Sequence, residues 1–173
     1  MDILEFEKKN GLSFKDKGLL KQAFIHRSYI NENRKLNLDH NERLEFLGDA
    51  VLELIVTDHL FKKYKDKTEG ELTSYRSALV NANTLSTVAM NLGVNNYLML
   101  SKGEAKDMGR ARQYILADTM EAIIGAIFID RGYEKAESFV LENIVSLEEE
   151  IIKGGVWIDA KSHLQEKTQD VLG

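Results

Sequence analysis

The chain has 173 residues, no cysteine, no proline and a formal net charge of −5. This length fits one main globule with a core of its own, and the missing cysteines exclude disulfides, zinc–thiolate sites and a cysteine nucleophile, so any metal must be held by oxygen or histidine. No apolar run reaches the roughly 20 residues that cross a bilayer, and MDILEFEKKNG lacks the basic-then-apolar order of a signal peptide, so a cytoplasmic chain with no membrane partner is expected.

Without proline, and rich in Leu, Ile, Ala, Glu and Lys, the chain is expected to be all-α. A first helix is predicted near 2–10, stopping at Gly11, and a second near 17–30, followed by a polar irregular stretch from Asn31 to Leu38. A long helix then runs from about Asn41 to Tyr64, with Asp39 as N-cap and Glu42 at capping-box spacing. Thr68 and Glu71 repeat that spacing at the next helix, which turns Leu72, Tyr75, Leu79 and Val80 toward the core. Another helix is expected from Asn83 to near Gly93. SKGEAKDMGRARQ, 101–113, reads as a basic loop. An apolar helix from Tyr114 to Ile129 follows, and Gly132 separates it from a last helix at 133–152, closed by Gly154 and Gly155.

A net negative charge argues against a polyanionic partner only on average. Residues 61–112 hold nine Lys and Arg against five acids, whereas 41–60 hold one Arg against five acids and 113–153 three bases against nine acids.

Two segments carry chemistry. In NERLEFLGDAVLELIV, 41–56, a helical period places Glu42, Glu45, Asp49 and Glu53 on one stripe, with Leu44, Leu47, Val51, Leu54 and Ile55 opposite. Phe46, Leu52 and Val56 flank the acids, so these carboxylates border apolar surroundings. In ILADTMEAIIGAIFI, 115–129, Asp118, Thr119 and Glu121 are the only polar residues of a helix that reads as buried. Buried carboxylates need a counter-cation, so either a distant Arg or a metal neutralises them. Side by side, the two helices would gather Glu45, Asp49, Asp118 and Glu121 into an all-oxygen set suited to Mg2+ or Mn2+. Such an ion relieves the repulsion, acidifies water and polarises a phosphoryl oxygen, which is the chemistry of phosphodiester hydrolysis. Read blandly, Glu42 is a capping residue, Glu53 a surface glutamate and Glu69 a helix-start acid. His26, His40, His59 and His163 show no ligand spacing and read as structural or solvated.

HNERLEFLGDAVL, 40–52, resembles the signature of bacterial ribonuclease III, and AFIHRSY (23–29), TEGELTSYRSALVNANTL (68–85), LSKGEAKDMG (100–109) and ILADTMEAIIGAIFIDRGY (115–133) follow in that family's order. The resemblance implies a helical nuclease domain over 1–153 that cuts double-stranded RNA as a homodimer, leaving 5′-phosphate and 3′-hydroxyl ends, as in the processing of ribosomal RNA precursors and messenger RNA. It implies Glu45, Asp49, Asp118 and Glu121 as catalytic ligands of Mg2+, for which Mn2+ can substitute, with Glu42 and Glu69 in supporting positions. Arg76, Lys102, Lys106, Arg110 and Arg112 are candidates for contacts to RNA phosphates. Residues 154–173 resemble a linker and the opening helix of a double-stranded-RNA-binding domain, with Ala160 where proline is common. Ile25 and Tyr114 depart from the family by replacing small hydroxyl residues.

Two other function classes compete. A non-catalytic RNA-binding or ribosome-associated module of the same fold would be expected to lack some of the acidic ligands, and a phosphohydrolase of small nucleotides would rest on the carboxylates alone.

Overall fold

The computed structural model describes residues 2–154, and these form nine α-helices linked by turns, four of which are short 3-10 segments. They are α1 (Ile3–Lys9), α2 (Lys17–Ala23), α3 (Arg27–Glu32), α4 (Glu42–Lys63), α5 (Glu69–Val80), α6 (Ala82–Asn91), α7 (Arg110–Arg131), α8 (Tyr133–Asn143) and α9 (Glu148–Lys153). The expected all-α class holds: among the described residues the only strand-like feature is a single bridge between Ile25 and Met99. No described helix is long and apolar enough to cross a membrane. The segment expected to open an RNA-binding domain, 155–173, lies outside the described residues.

Helix α7 is the axis of the fold. Twelve of its 22 residues are buried, and it packs against α4, α6, α8 and α2. Its closest approach is to α4, at a pair of glycines. A Cβ on Gly48 would fall 1.8 Å from the backbone oxygen of Glu121, and one on Gly125 would fall 2.2 Å from that of Leu44. Neither helix can carry a side chain there, so the backbones touch. Leu52, Ile55, Met120, Ile123 and Ile124 close the core around this contact.

Several boundaries differ from expectation. The predicted helix at 17–30 is two, because the chain extends at Ile25 and His26 to pair with the segment at Met99: His26 N–H donates to Met99 O at 3.1 Å and Met99 N–H to Phe24 O at 2.9 Å. Asp39 does not cap α4. Asn41 stands at that position, 2 % exposed, with its backbone N–H on Ile25 O and its amide on Ala23 O, so the helix start is tied to α2 and not to a local box. At Thr68 the capping box is present in both directions. Helix α6 begins at Ala82, one residue before Asn83, because Asn81 caps it. Helix α7 starts at Arg110, four residues before Tyr114, and the expected last helix breaks at Ile144 and resumes as α9.

The α9 start is fixed by a buried charge. Glu148, 2 % exposed, accepts from Lys63 Nζ at 2.8 Å and faces His59 Nε2 at 2.9 Å. Burial opposes its charge, yet hydrogen bonds from Lys63, Tyr64 and His59 hold its carboxyl below the usual range.

The exposed side of α4 is the other surprise. Leu54, expected in the core, is 58 % exposed, and Phe46 and Phe61 are 82 % and 71 % exposed. With a period of 3.6, Phe46, Leu47, Ala50, Leu54, Thr57 and Phe61 form one stripe along the helix, next to the acidic one.

Candidate metal centre between α4 and α7

The glycine contact sets the site. Glu45 precedes Gly48 by one turn and Glu121 precedes Gly125 by one turn, so direct backbone packing forces the acids of the two helices together. One carboxylate oxygen each from Glu45, Asp118 and Glu121 lies within 4.8 Å of the others, all three half-buried. Asp49, exposed on the same stripe, stays outside that set, but its charge acts on both Glu45 and Glu121.

The electrostatics follow from geometry. Burial, then the charges of Asp118, Glu42 and Asp49, push the Glu45 carboxyl up to about 7. Burial, then Asp49, Asp118, Glu45 and Glu53, push Glu121 up to about 8. Asp118 is raised by burial, and His26 pulls it back down. Among the described residues no Lys or Arg lowers any of the three, so the distant-arginine alternative has no support there, whereas the donor chemistry fits a hard divalent cation.

The other expected residues are dispersed. Glu42, at the first turn of α4, faces Arg27 at 3.5 Å and His40 at 3.7 Å and is close enough to act on Glu45. Glu69 is not brought to the cluster within one chain. It opens α5, accepts from Thr73 Oγ1 at 2.9 Å, and lines a groove with Thr57, Phe61 and Arg76; Thr57 lies about 18 Å along α4 from Glu45. Arg76 donates to Thr57 Oγ1 at 3.0 Å.

Lys102 and Lys106 are exposed on the loop before α7, and Arg110 lies over the Tyr114 ring, 5.7 Å from its centroid. Arg112 does not match its expected role as a phosphate contact. It is 7 % exposed, and its guanidinium donates to the backbone oxygens of Glu104, Ala105 and Asp107 at 2.9–3.1 Å and to Asn95 Oδ1 at 3.5 Å. It clamps the basic loop from below. A positive charge in a loop-like sequence gives no sign of this, because the acceptors are backbone carbonyls.

His26 is the residue that sequence reasoning missed at the site. Its ring caps α3, and its charge reaches Asp118. Ile25 beside it is buried.

Comparison with known proteins agrees with this architecture. Residues 16–147 match the family model described as Ribonuclease-III-like. Ribonuclease 3 of Clostridium perfringens is 44 % identical over 169 residues, spanning 98 % of this chain and 70 % of that protein. Among solved structures, the nuclease domain of ribonuclease III from Campylobacter jejuni superposes with a TM-score of 0.75 at 39 % identity, covering 83 % of this chain and 96 % of that one, and was described for flexibility in a region involved in dimer formation. Dicer from Pichia stipitis superposes with a TM-score of 0.61 at 30 % identity, covering 85 % of this chain and 62 % of that one. With the same helical fold and an acidic cluster between its two central helices, the chain belongs to the ribonuclease III family of endonucleases.

Proposed function

We propose that the chain hydrolyses phosphodiester bonds of double-stranded RNA with Mg2+, or Mn2+ in its place, held by Glu45, Asp49, Asp118 and Glu121. The observation that carries this reading is the convergence of three half-buried carboxylates, each raised above its ordinary range by burial, which no Lys or Arg among the described residues neutralises. A divalent ion there would supply charge stabilisation at phosphorus and an acidified water. The residues' own part is to present oxygen donors from two helices fixed by backbone contact, and Glu42 adds negative potential beside Glu45. The expected products are 5′-phosphate and 3′-hydroxyl ends, as in maturation of ribosomal RNA precursors. Residues 1–153 are read as the catalytic domain and 154–173 as a linker with the first-helix fragment of an RNA-binding domain.

A homodimer is part of the proposal. The stripe holding Phe46, Leu54 and Phe61 adjoins the acidic stripe on α4, and a self-complementary contact along it would set two carboxylate clusters beside one interface. Glu69, remote from the cluster of its own chain, would be assigned a supporting role from that interface.

The test is incubation of labelled RNA duplex, single-stranded RNA and nucleotides with the purified chain, with and without Mg2+, at low salt. Metal-dependent cutting of the duplex alone supports the reading. Duplex binding with no cutting at any metal concentration would favour a non-catalytic module.

A further inference from the structure

His26 stands between two contacts to the start of α4, where Ile25 O accepts from Asn41 N–H at 2.9 Å and Arg27 faces Glu42 at 3.5 Å, one turn before Glu45, and its hydrogen bonds fix which ring nitrogen carries the proton. Nδ1 accepts from the backbone N–H of Ser28 at 3.3 Å and lies 2.8 Å from Ser28 Oγ. Ser28 Oγ in turn accepts the N–H of Ser101 at 3.0 Å, so its own hydrogen is free to point at Nδ1. With the Nδ1 lone pair occupied in this way, the neutral imidazole carries its proton on Nε2.

That Nε2–H has no protein partner among the described residues, and the ring is half-buried, not sealed. It is not a metal ligand in this tautomer, and it stands outside the set of converging carboxylates. Nor does a hydrogen bond join it to Asp118 among the described residues. The ring is held from both sides. The bridge between Ile25 and Met99 fixes its backbone, and the Ser28–Ser101 bond ties it to the basic loop, whose Lys102 N–H is anchored in turn on Glu32.

We infer that His26 is a substrate-contacting residue, whose Nε2–H, aimed by Ser28, donates a hydrogen bond to a non-bridging phosphate oxygen of the RNA strand lying over the carboxylate cluster. The inference rests on the nuclease reading of the site. A phosphate drawn to a cation on Glu45, Asp118 and Glu121 would lie beside the first turn of α4, where the ring is held, and a preoriented donor there meets an anionic oxygen that three carboxylates would otherwise repel. Because Ser28 also receives Ser101 N–H, the donor and the basic loop are set by one hydroxyl.

The experiment separates donor from cap. His26→Asn keeps a short side chain able to cap α3 but cannot reach the Nε2 position, whereas His26→Gln places an amide N–H near it. Affinity for a fluorescein-labelled RNA duplex is measured by anisotropy in chelator at low salt, and kcat and KM in Mg2+, alongside melting curves. His26→Asn should weaken duplex binding about tenfold, the loss of one hydrogen bond to a charged acceptor, with a matching rise in KM, and His26→Gln should restore binding to within about threefold of the original. An Asn variant that binds like the original, or a Gln variant no better than Asn, overturns the inference. Should the substitutions disturb folding, the unsubstituted protein still decides: long-range 1H–15N spectra should show an Nε2–H tautomer whose resonance shifts on duplex addition, and an Nδ1–H tautomer or an unmoved resonance overturns it. Absence of cutting by the unsubstituted chain would refute the nuclease reading, while the binding and spectral readouts would still judge His26.

Discussion

Replacing Glu121 with glutamine should make the metal-free protein more stable and less responsive to metal. Burial and the charges of Asp49, Asp118 and Glu45 push this carboxyl up to about 8, against 4.5 ordinarily. Between those values the folded chain keeps a proton that the unfolded chain has released, so the stability this group contributes is complete below about pH 4.5 and is lost as pH rises through 8. The full gap corresponds to about 5 kcal/mol; screening at a half-open site and sharing among coupled carboxylates reduce this to about 2 kcal/mol. Glutamine keeps the shape and drops the charge. In chelator at pH 8 the variant should therefore melt about 5 °C above the unsubstituted chain, and the difference should shrink toward zero by pH 5. Adding Mg2+ at pH 8 should raise the melting temperature of the unsubstituted chain, as the ion replaces the proton, and raise that of the variant much less. Scanning calorimetry at pH 5, 6.5 and 8, with and without Mg2+, reads all of this. A variant that melts lower in chelator at pH 8, or gains as much from Mg2+, would refute the electrostatic account.

Gly48→Ala should cost about 3 kcal/mol or more, because its Cβ meets the backbone of α7 and no rotamer can relieve it; urea denaturation measures the loss, and Mg2+-induced stabilisation should fall with it. Arg112→Ala should open the loop before α7, exposing bonds within 101–109 to limited proteolysis and removing about 2 kcal/mol of stability, since three carbonyl acceptors lose their donor. A double Lys102→Ala, Lys106→Ala variant should leave the melting temperature unchanged while flattening the dependence of duplex affinity on salt by about two contacts, as seen in titrations from low to moderate ionic strength. Phe46→Glu should shift the protein toward a monomer in analytical ultracentrifugation, and an unchanged sedimentation profile would argue against the α4 stripe as the subunit contact.

Sequence periodicity made the acidic stripe of α4 visible, and an almost wholly apolar α7 made Asp118 and Glu121 conspicuous, because both signals are local. What joins the stripes is not local. Gly48 and Gly125 look like ordinary helix interruptions until the two backbones are seen in contact. Leu54 shows the limit of a helical wheel: apolar residues occupied two faces of α4, one against α7 and one outward, and periodicity does not tell which of the two is buried. Arg112 was misread because its partners are carbonyls at Glu104, Ala105 and Asp107, which a sequence does not display. His26 was passed over because the test applied to it was metal-ligand spacing, whereas its place is set by a serine two residues on and another more than seventy residues away.

The direct seating of α4 on α7 also constrains how such a chain can change in length. One residue added or removed inside either helix, between its glycine and its carboxylates, would rotate the acids by about 100° relative to the contact and point them away from one another. The loops at 33–41 and 101–109 lie outside the two central helices and can absorb such a change. Insertions and deletions tolerated by this architecture should therefore fall in those loops, with the register of the two central helices held fixed.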